Sequence, residues 1–246
     1  MKYVIGILCL LFAWPYLHGQ GSQGIALYTD EDLRQLGTLG PMSAGARTID
    51  LRYEGVIGTP LLFDEWKKAA LKLKGKEGFG NEVSINIDGE NNNLYFQLPG
   101  GYTSSIPAEK LQAVKVQTAP DEYRLFEVLP ANEVEGGRDT ILKYYETLYD
   151  GQFRLLKQDR RFLLKADYKG PYSPDRRHDE YTSNVSYWLK EDGDGYEKVK
   201  FRRKSIQQAL PKQEGRVKKL IKENDLNLDT EADMVDFLKL LESENG

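Results

Sequence analysis

The sequence predicts a mainly β (α+β) fold: an antiparallel meander forming a barrel or sandwich, with short C-terminal helices docked on it. Two observations in the middle of the chain indicate the sheet: apolar residues recur at every second position in short runs, and turn-forming residues separate these runs. A third observation indicates the helices, because the apolar period changes to a helical one after Phe201. No long helical pattern interrupts the strand-like runs, which favours antiparallel neighbours.

Residues 1–19 have the pattern of a cleaved secretory signal peptide. Lys2 precedes a twelve-residue apolar run from Tyr3 to Trp14, and small Gly19 follows it. A membrane-spanning helix needs about 20 apolar residues, so this run is too short to serve as one. We therefore expect a protein exported through the secretory pathway to the periplasm, the cell envelope or the medium. We expect no membrane span in the mature chain.

Composition narrows the function classes. Without Lys2, the 34 basic residues become 33 against 38 acidic ones, which is a net charge of −5 and argues against a nucleic-acid partner. The predicted cleavage also removes Cys9, the single cysteine, so no disulfide is expected. Packing alone must then stabilise the fold.

Residues 20–50 are rich in glycine and serine, and we interpret them as an N-terminal arm with one short helix. Thr29 can cap that helix, and Gly37 can end it.

A β-rich domain is predicted over residues 51–203, and its clearest element is the stretch NEVSINIDGENNNLYFQL, residues 81–98. Two apolar trios recur there at period two: Val83, Ile85 and Ile87, then Leu94, Phe96 and Leu98. The intervening DGENNN contains residues that tolerate turn conformations, so the stretch predicts a hairpin. A two-stranded ribbon is marginal alone in water, and we expect its apolar face to belong to the core.

The remaining predicted strands follow the same pattern. They are AALKLK (69–74), AVKVQT (113–118), YRLFEVL (123–129), ILKYYETLYD (141–150), QFRLLKQ (152–158), RFLLKAD (161–167) and NVSYWLK (184–190). The predicted turns between strands are KGKEGFG, LPGG, YDGQ, KQDR and EDGDG.

Residues 204–246 predict a helical tail. A Ser205–Gln208 pair has the spacing of a capping box, and Pro211 ends that helix. A second helix has Val217, Leu220 and Ile221 on one side. The last has Thr230 and Asp233 at capping positions and an apolar stripe of Met234, Phe237, Leu238 and Leu241. Such short helices are unstable alone, so we expect the tail to dock on the sheet.

Catalytic and metal sites find little support. His178 is the only histidine of the predicted mature chain, which argues against zinc sites built on histidine or cysteine and leaves one candidate base for a Ser-His-Asp arrangement. We predict no catalytic residue, no metal and no cofactor. The candidates for ligand binding are Asp64 and Trp66 in FDEW, which share one face if the segment is extended.

Three stretches together resemble a group of exported proteins of the Bacteroidetes type with no assigned function. They are GTPLLFDEW, then FEVLPANE with YYETLYDGQFRLLK, and the ending from SIQQAL to FLKLL. That group has a YLFDEW-like start, a β-meander and a Lys-rich helical tail. The resemblance covers roughly residues 56–241 and implies an envelope or secreted location. It implies no catalytic residue.

These observations favour a non-catalytic binding or interaction module whose partner is an envelope component, a protein or a small ligand. The alternatives are a carboxylate-dependent glycan hydrolase and a lipocalin-like small-ligand carrier. A hydrolase requires two carboxylates about 5–10 Å apart in one cleft, one of them with a raised pKa. A carrier requires an apolar cavity open at one end. The sequence does not indicate the oligomeric state.

Overall fold

The computed structural model describes residues 55–98, 100–166, 178–224 and 226–243. Eleven strands form one sheet: β1 (Val56–Ile57), β2 (Lys67–Leu73), β3 (Glu82–Asp88), β4 (Asn93–Gln97), β5 (Thr103–Ile106), β6 (Leu111–Ala119), β7 (Glu122–Pro130), β8 (Leu142–Asp150), β9 (Phe153–Leu164), β10 (Asp179–Glu191) and β11 (Glu197–Val199). Four α-helices accompany them in the described ranges: α1 (Ala131–Val134), α2 (Arg203–Ala209), α3 (Glu214–Glu223) and α4 (Glu231–Ser243). Two 3-10 helices lie at Ala108–Lys110 and Pro211–Gln213. The mainly β class with short C-terminal helices is confirmed. The predicted signal peptide and arm lie outside the described residues.

The sheet runs in the order β1-β10-β9-β8-β7-β6-β2-β3-β4-β5, and β11 also pairs with β10. All neighbours are antiparallel except β1 and β10. The sheet is not closed, so it is not a complete barrel. It nevertheless curls back on itself, because the Arg161 amide of β9 donates to the Gly89 carbonyl of the β3–β4 turn at 3.1 Å.

One core cluster gathers the apolar faces of β2 to β8. Ile85 and Phe96 are directly opposite each other in the β3–β4 hairpin, and both are fully buried. Burial of each such side chain contributes about 1.5–3 kcal/mol of transfer free energy. The apolar face of the predicted hairpin is therefore core.

A second cluster lies between the sheet and the C-terminal helices. Phe153 and Leu155 of β9 and Leu189 of β10 pack there with helix residues such as Leu220 and Phe237. The predicted apolar stripe of α4 is entirely buried. The docked helical tail is confirmed.

The cap predicted for the last helix is also confirmed. The Asp233 amide donates to Thr230 Oγ1 at 3.1 Å, and the Thr230 amide donates to Asp233 Oδ2 at 2.9 Å. These reciprocal bonds satisfy backbone donors that the first helical turn leaves unpaired.

Two local predictions are wrong. KQDR is not a turn, because β9 continues through it and Asp159 and Arg160 pair with Val185 and Asn184 of β10. The Ser205 capping box does not form, since α2 begins at Arg203 and the Ser205 hydroxyl accepts the Lys200 amide at 2.9 Å. The short strands β1, β5 and β11 were not predicted.

No helix in the described part of the chain is both long and apolar enough to cross a membrane.

Candidate functional site

The sequence-predicted ligand residues Asp64 and Trp66 lie in an irregular segment that bulges away from β3. Before the bulge, the Leu62 amide donates to the Ile87 carbonyl at 2.8 Å, and after it Lys67 pairs with Ile85. Asp64 is exposed and Trp66 is half-buried. Neither residue lines the groove described below.

Phe63 is the residue of this segment that points inward. Its backbone is held by the Asn86 side chain, whose Nδ2 donates to the Phe63 carbonyl at 2.7 Å. Its ring meets Phe126 edge-on, with the ring centroids 5.9 Å apart. The FDEW motif thus anchors the chain to the core through its first residue.

The outer edge of β10 has a gap between two short partners. On the inner edge β9 pairs with β10 from Glu180 to Glu191. On the outer edge β1 pairs at Asp179 and Glu180, while β11 pairs from Tyr187 to Leu189. Within the described ranges, no strand pairs with 182–186 on this edge. In an antiparallel strand the amide and the carbonyl of one residue point to the same side. Every second residue of 182–186 therefore presents both groups at the open edge of β10.

A groove of about 780 Å³ opens beside this gap, bounded by β10, the end of β11 and the start of α4. Its apolar strip consists of Val185, which is 40% exposed, and the rings of Tyr187 and Phe201, whose centroids are 4.2 Å apart. Lys200 and Arg202 lie on the β11 side and have no ion-pair partner among the described residues. The groove thus combines an unpaired strand edge, an apolar strip and the positive charges of Lys200 and Arg202, with the acids Asp229 and Glu231 also in its lining.

A partly buried polar network connects the groove to the sheet. Tyr187 donates to Glu231 at 2.7 Å, and the Lys157 ammonium contacts the same carboxylate at 2.7 Å. Lys157 also lies 3.8 Å from Glu146, which accepts two bonds from the Arg124 guanidinium at 2.5 Å each. The paired geometry is typical of a strong charge-assisted contact.

This network keeps Glu231 ionised. Burial would raise the pKa of Glu231, but hydrogen bonds from Lys157 and Tyr187 outweigh burial and hold that pKa below its ordinary value. Burial and the bond to Glu231 raise the pKa of the Tyr187 hydroxyl. The hydrogen bond to Glu146 raises the pKa of Arg124. Glu231 and Tyr187 therefore form a fixed wall of the groove over the neutral pH range.

The other carboxyl groups with a shifted pKa also have a lowered one, as Glu231 does. In Glu135 and Glu242 hydrogen bonds outweigh burial, and in exposed Asp233 the capping bonds to Thr230 dominate, so the pKa of each is lowered. Among the residues that the structure describes, no group of three or more histidine, cysteine or acidic side chains could hold a metal ion. His178 immediately precedes β10 and is half-buried.

Sequence reasoning missed Arg124, Glu146 and Lys157. A usable signal was present for two of them. Arg124 lies two positions before Phe126, and Glu146 lies two positions after Tyr144, so in extended strands each charge shares a face with a core aromatic. A charge on the apolar face of a strand indicates a buried pair.

No protein-family model, curated protein or solved structure matches the chain. The functional argument therefore depends on the geometry of the site itself.

Proposed function

We propose that the protein is an exported, non-catalytic binding module that takes up an extended segment of a partner protein on the open edge of β10. The gap at 182–186 between β1 and β11 carries this proposal. Strand addition at a free edge supplies main-chain hydrogen bonds, while adjoining side chains supply specificity. At about 3.3 Å per residue, the gap admits a strand of about four or five residues.

The lining of the groove indicates the chemistry of that segment. Lys200 and Arg202 favour acidic side chains on the partner. Val185, Tyr187 and Phe201 favour apolar ones. Because side chains of a strand alternate between two faces, the segment that fits best alternates acidic and apolar residues.

The two other functions weighed from the sequence find less support. The hydrolase requires a carboxyl group with a raised pKa, whereas the acids with shifted pKa values in the described ranges are all lowered. The carrier requires an apolar cavity, but fully buried side chains such as Ile87, Phe96 and Val114 fill the curl of the sheet. Export, with the resemblance that supports it, remains part of the proposal.

The test uses a labelled eight-residue peptide of alternating aspartate and valine, with fluorescence anisotropy as the readout. We expect saturable binding and amide NMR shifts confined to residues Asn184, Val185 and Ser186 and their neighbours. An analogue with N-methylated backbone amides keeps the side chains but cannot pair as a strand, so it should bind at least about tenfold more weakly.

Charge reversal tests the basic rim. Lys200→Glu with Arg202→Glu should weaken peptide binding, while the matched control Lys218→Glu with Lys222→Glu, exposed on α3, should not. If the N-methylated peptide bound as tightly as the unmodified one, strand addition would be contradicted. Equal loss in both charge-reversed variants would show that binding is merely electrostatic.

A further inference from the structure

The open edge of β10 is bounded at both ends by the protein's own strands. At one end β1 pairs as far as Glu180, and a Cβ on Gly58, which follows β1, would lie 3.1 Å from the Tyr181 carbonyl oxygen. At the other end β11 pairs as far as Tyr187. A strand added at 182–186 therefore lies in line with β1 and β11. It has a length of about 16 Å available to it.

These boundaries exclude some partners. If two copies of the chain paired through their β10 edges, the β1 and β11 of one copy would occupy the space of the other copy's β10, because neighbouring strands are only about 4.8 Å apart. A longer edge strand of another protein would overlap β1 or β11 in the same way. The partner segment is therefore short, and at each end it must either turn away from the edge or stop.

The end of the gap beside β11 carries positive charge. The Lys200 amide donates to the Ser205 hydroxyl at 2.9 Å, and the Arg202 amide donates to the Lys200 carbonyl at 2.7 Å. These bonds turn the chain away from β10 directly after Val199. The exposed side chains of Lys200 and Arg202 therefore lie in the groove lining at this end, whereas Asn184 and Val185 contribute no charge to it.

The acids of the groove do not cancel this charge. The lining contains the acids Asp229 and Glu231 and the cations Lys198, Lys200 and Arg202. Glu231 already has a cationic partner, since the Lys157 ammonium contacts it at 2.7 Å from outside the lining. Three cations then remain against Asp229 alone. An anionic group of the partner is favoured at the end of the gap where Lys200 and Arg202 lie.

The end of a protein chain meets these conditions. A strand that runs parallel to β10, as β1 does, has its C-terminal end toward Ser186 and hence toward Lys200 and Arg202. A chain that stops there needs no path past β11, and its terminal carboxylate accepts charge-assisted hydrogen bonds from the two cations. An antiparallel strand would instead bring a cationic N-terminus, or a bend, to the same cations.

We propose that the partner segment is the C-terminal tail of a protein, bound parallel to β10 with its terminal carboxylate at Lys200 and Arg202. This inference rests on strand addition at the open edge of β10, which is the function proposed above. It adds the direction of the segment and the chemical group at its end.

Two peptides of identical composition and net charge test the position of the carboxylate. Both contain the sequence Val-Asp-Val-Asp-Val and a free C-terminus, but a Gly-Ser-Gly-Ser linker precedes this sequence in one peptide and follows it in the other. Both have the same fluorophore at the N-terminus, and anisotropy measures binding to the full chain. The peptide that ends in valine should bind at least about tenfold more tightly, and amidation of its C-terminus should abolish this advantage.

Charge neutralisation identifies the groups that meet the carboxylate. In Lys200→Gln with Arg202→Gln, the ratio of the two Kd values should fall to about one, because the carboxylate has lost its cations. In the control Lys218→Gln with Lys222→Gln, exposed on α3, the ratio should stay unchanged. A ratio measured within one variant does not depend on how much of that variant is folded.

A nitroxide label at the N-terminus of the five-residue peptide tests the direction. With the peptide parallel to β10, the label should broaden the amide NMR signals of Gly58 and Thr182 more than those of Ser186 and Lys200. Stronger broadening of Ser186 and Lys200 would indicate an antiparallel strand and would overturn the proposal.

The remaining outcomes separate the two proposals. Equal affinity of the two linker peptides, or a preference that persists in Lys200→Gln with Arg202→Gln, would overturn the terminal carboxylate and leave strand addition intact. Equal binding of the N-methylated peptide described above, or no saturable binding of any peptide, would overturn strand addition and this inference with it.

Discussion

Replacement of Arg124 by methionine tests the partly buried Arg124–Glu146 pair in the network. The change removes the guanidinium from Glu146, whose side chain is 8% exposed, but keeps an apolar stem beside the rings of Phe63 and Phe126. Breaking a fully buried pair costs about 3–5 kcal/mol, and breaking a surface pair costs about 0–1 kcal/mol. Arg124 is 34% exposed and Lys157 stays 3.8 Å from Glu146, so we expect a loss of about 2–3 kcal/mol.

Urea denaturation followed by tyrosine and tryptophan fluorescence measures this loss as a lower midpoint with an unchanged slope. The double variant Arg124→Met with Glu146→Leu should recover at least half of the lost stability, because it leaves no buried charge without a partner. Lys239→Met is the control, since Lys239 pairs with Asp236 on the exposed face of α4 and its loss should leave the midpoint unchanged.

Two outcomes would refute the reasoning. An unshifted midpoint for the single Arg124 variant would show that water already compensates Glu146. A double variant that is less stable than the single one would show that packing of the two side chains, rather than their charge, determines the stability.

Three further predictions concern the core, the pH response and the curl. Phe96→Ala should lower the free energy of unfolding by about 3–5 kcal/mol, since the ring is fully buried, and a smaller shift in denaturation would place it outside the core. The pKa of Glu231 is lower in the folded state than in the unfolded one, so its stabilising contribution is present above about pH 4.5 and is lost as the pH falls through the folded-state pKa. In Glu231→Gln, the free energy of unfolding should therefore fall less steeply on acidification than in the unmodified protein. Gly89→Ala should cost about 1–3 kcal/mol, because a Cβ there would lie 2.8 Å from Leu62 and 2.9 Å from Arg161; an unchanged thermal midpoint would mean that the β3–β4 turn is not pressed against β9.

Local sequence patterns were sufficient to predict elements whose interactions lie within a short stretch of the chain. The β3–β4 hairpin was predictable because Ile85 and Phe96 alternate with polar residues on both sides of a turn-rich segment. The α4 cap was predictable because Thr230 and Asp233 bond only within one helical turn. In both cases the information is contained in a few consecutive residues.

Long-range pairing explains what the sequence could not predict. KQDR has the composition of a turn, but Asp159 and Arg160 are held extended by β10, which follows later in the chain. Asp64 and Trp66 lie on a bulge that only the pairing of flanking residues with β3 produces, so no local pattern could indicate their surroundings. The groove itself combines β10, β11 and α4, whose relative positions no local pattern contains.

The order of elements along the chain has a consequence for assembly of the fold. The strands that carry Phe153, Leu155 and Leu189 precede the helices that cover them. Before α4 is synthesised, or after proteolysis ahead of Glu231, the part of this apolar surface that α4 covers is exposed to solvent. A chain that ends before Glu231 would expose an apolar surface and should self-associate. The last sixteen residues therefore protect the sheet against aggregation.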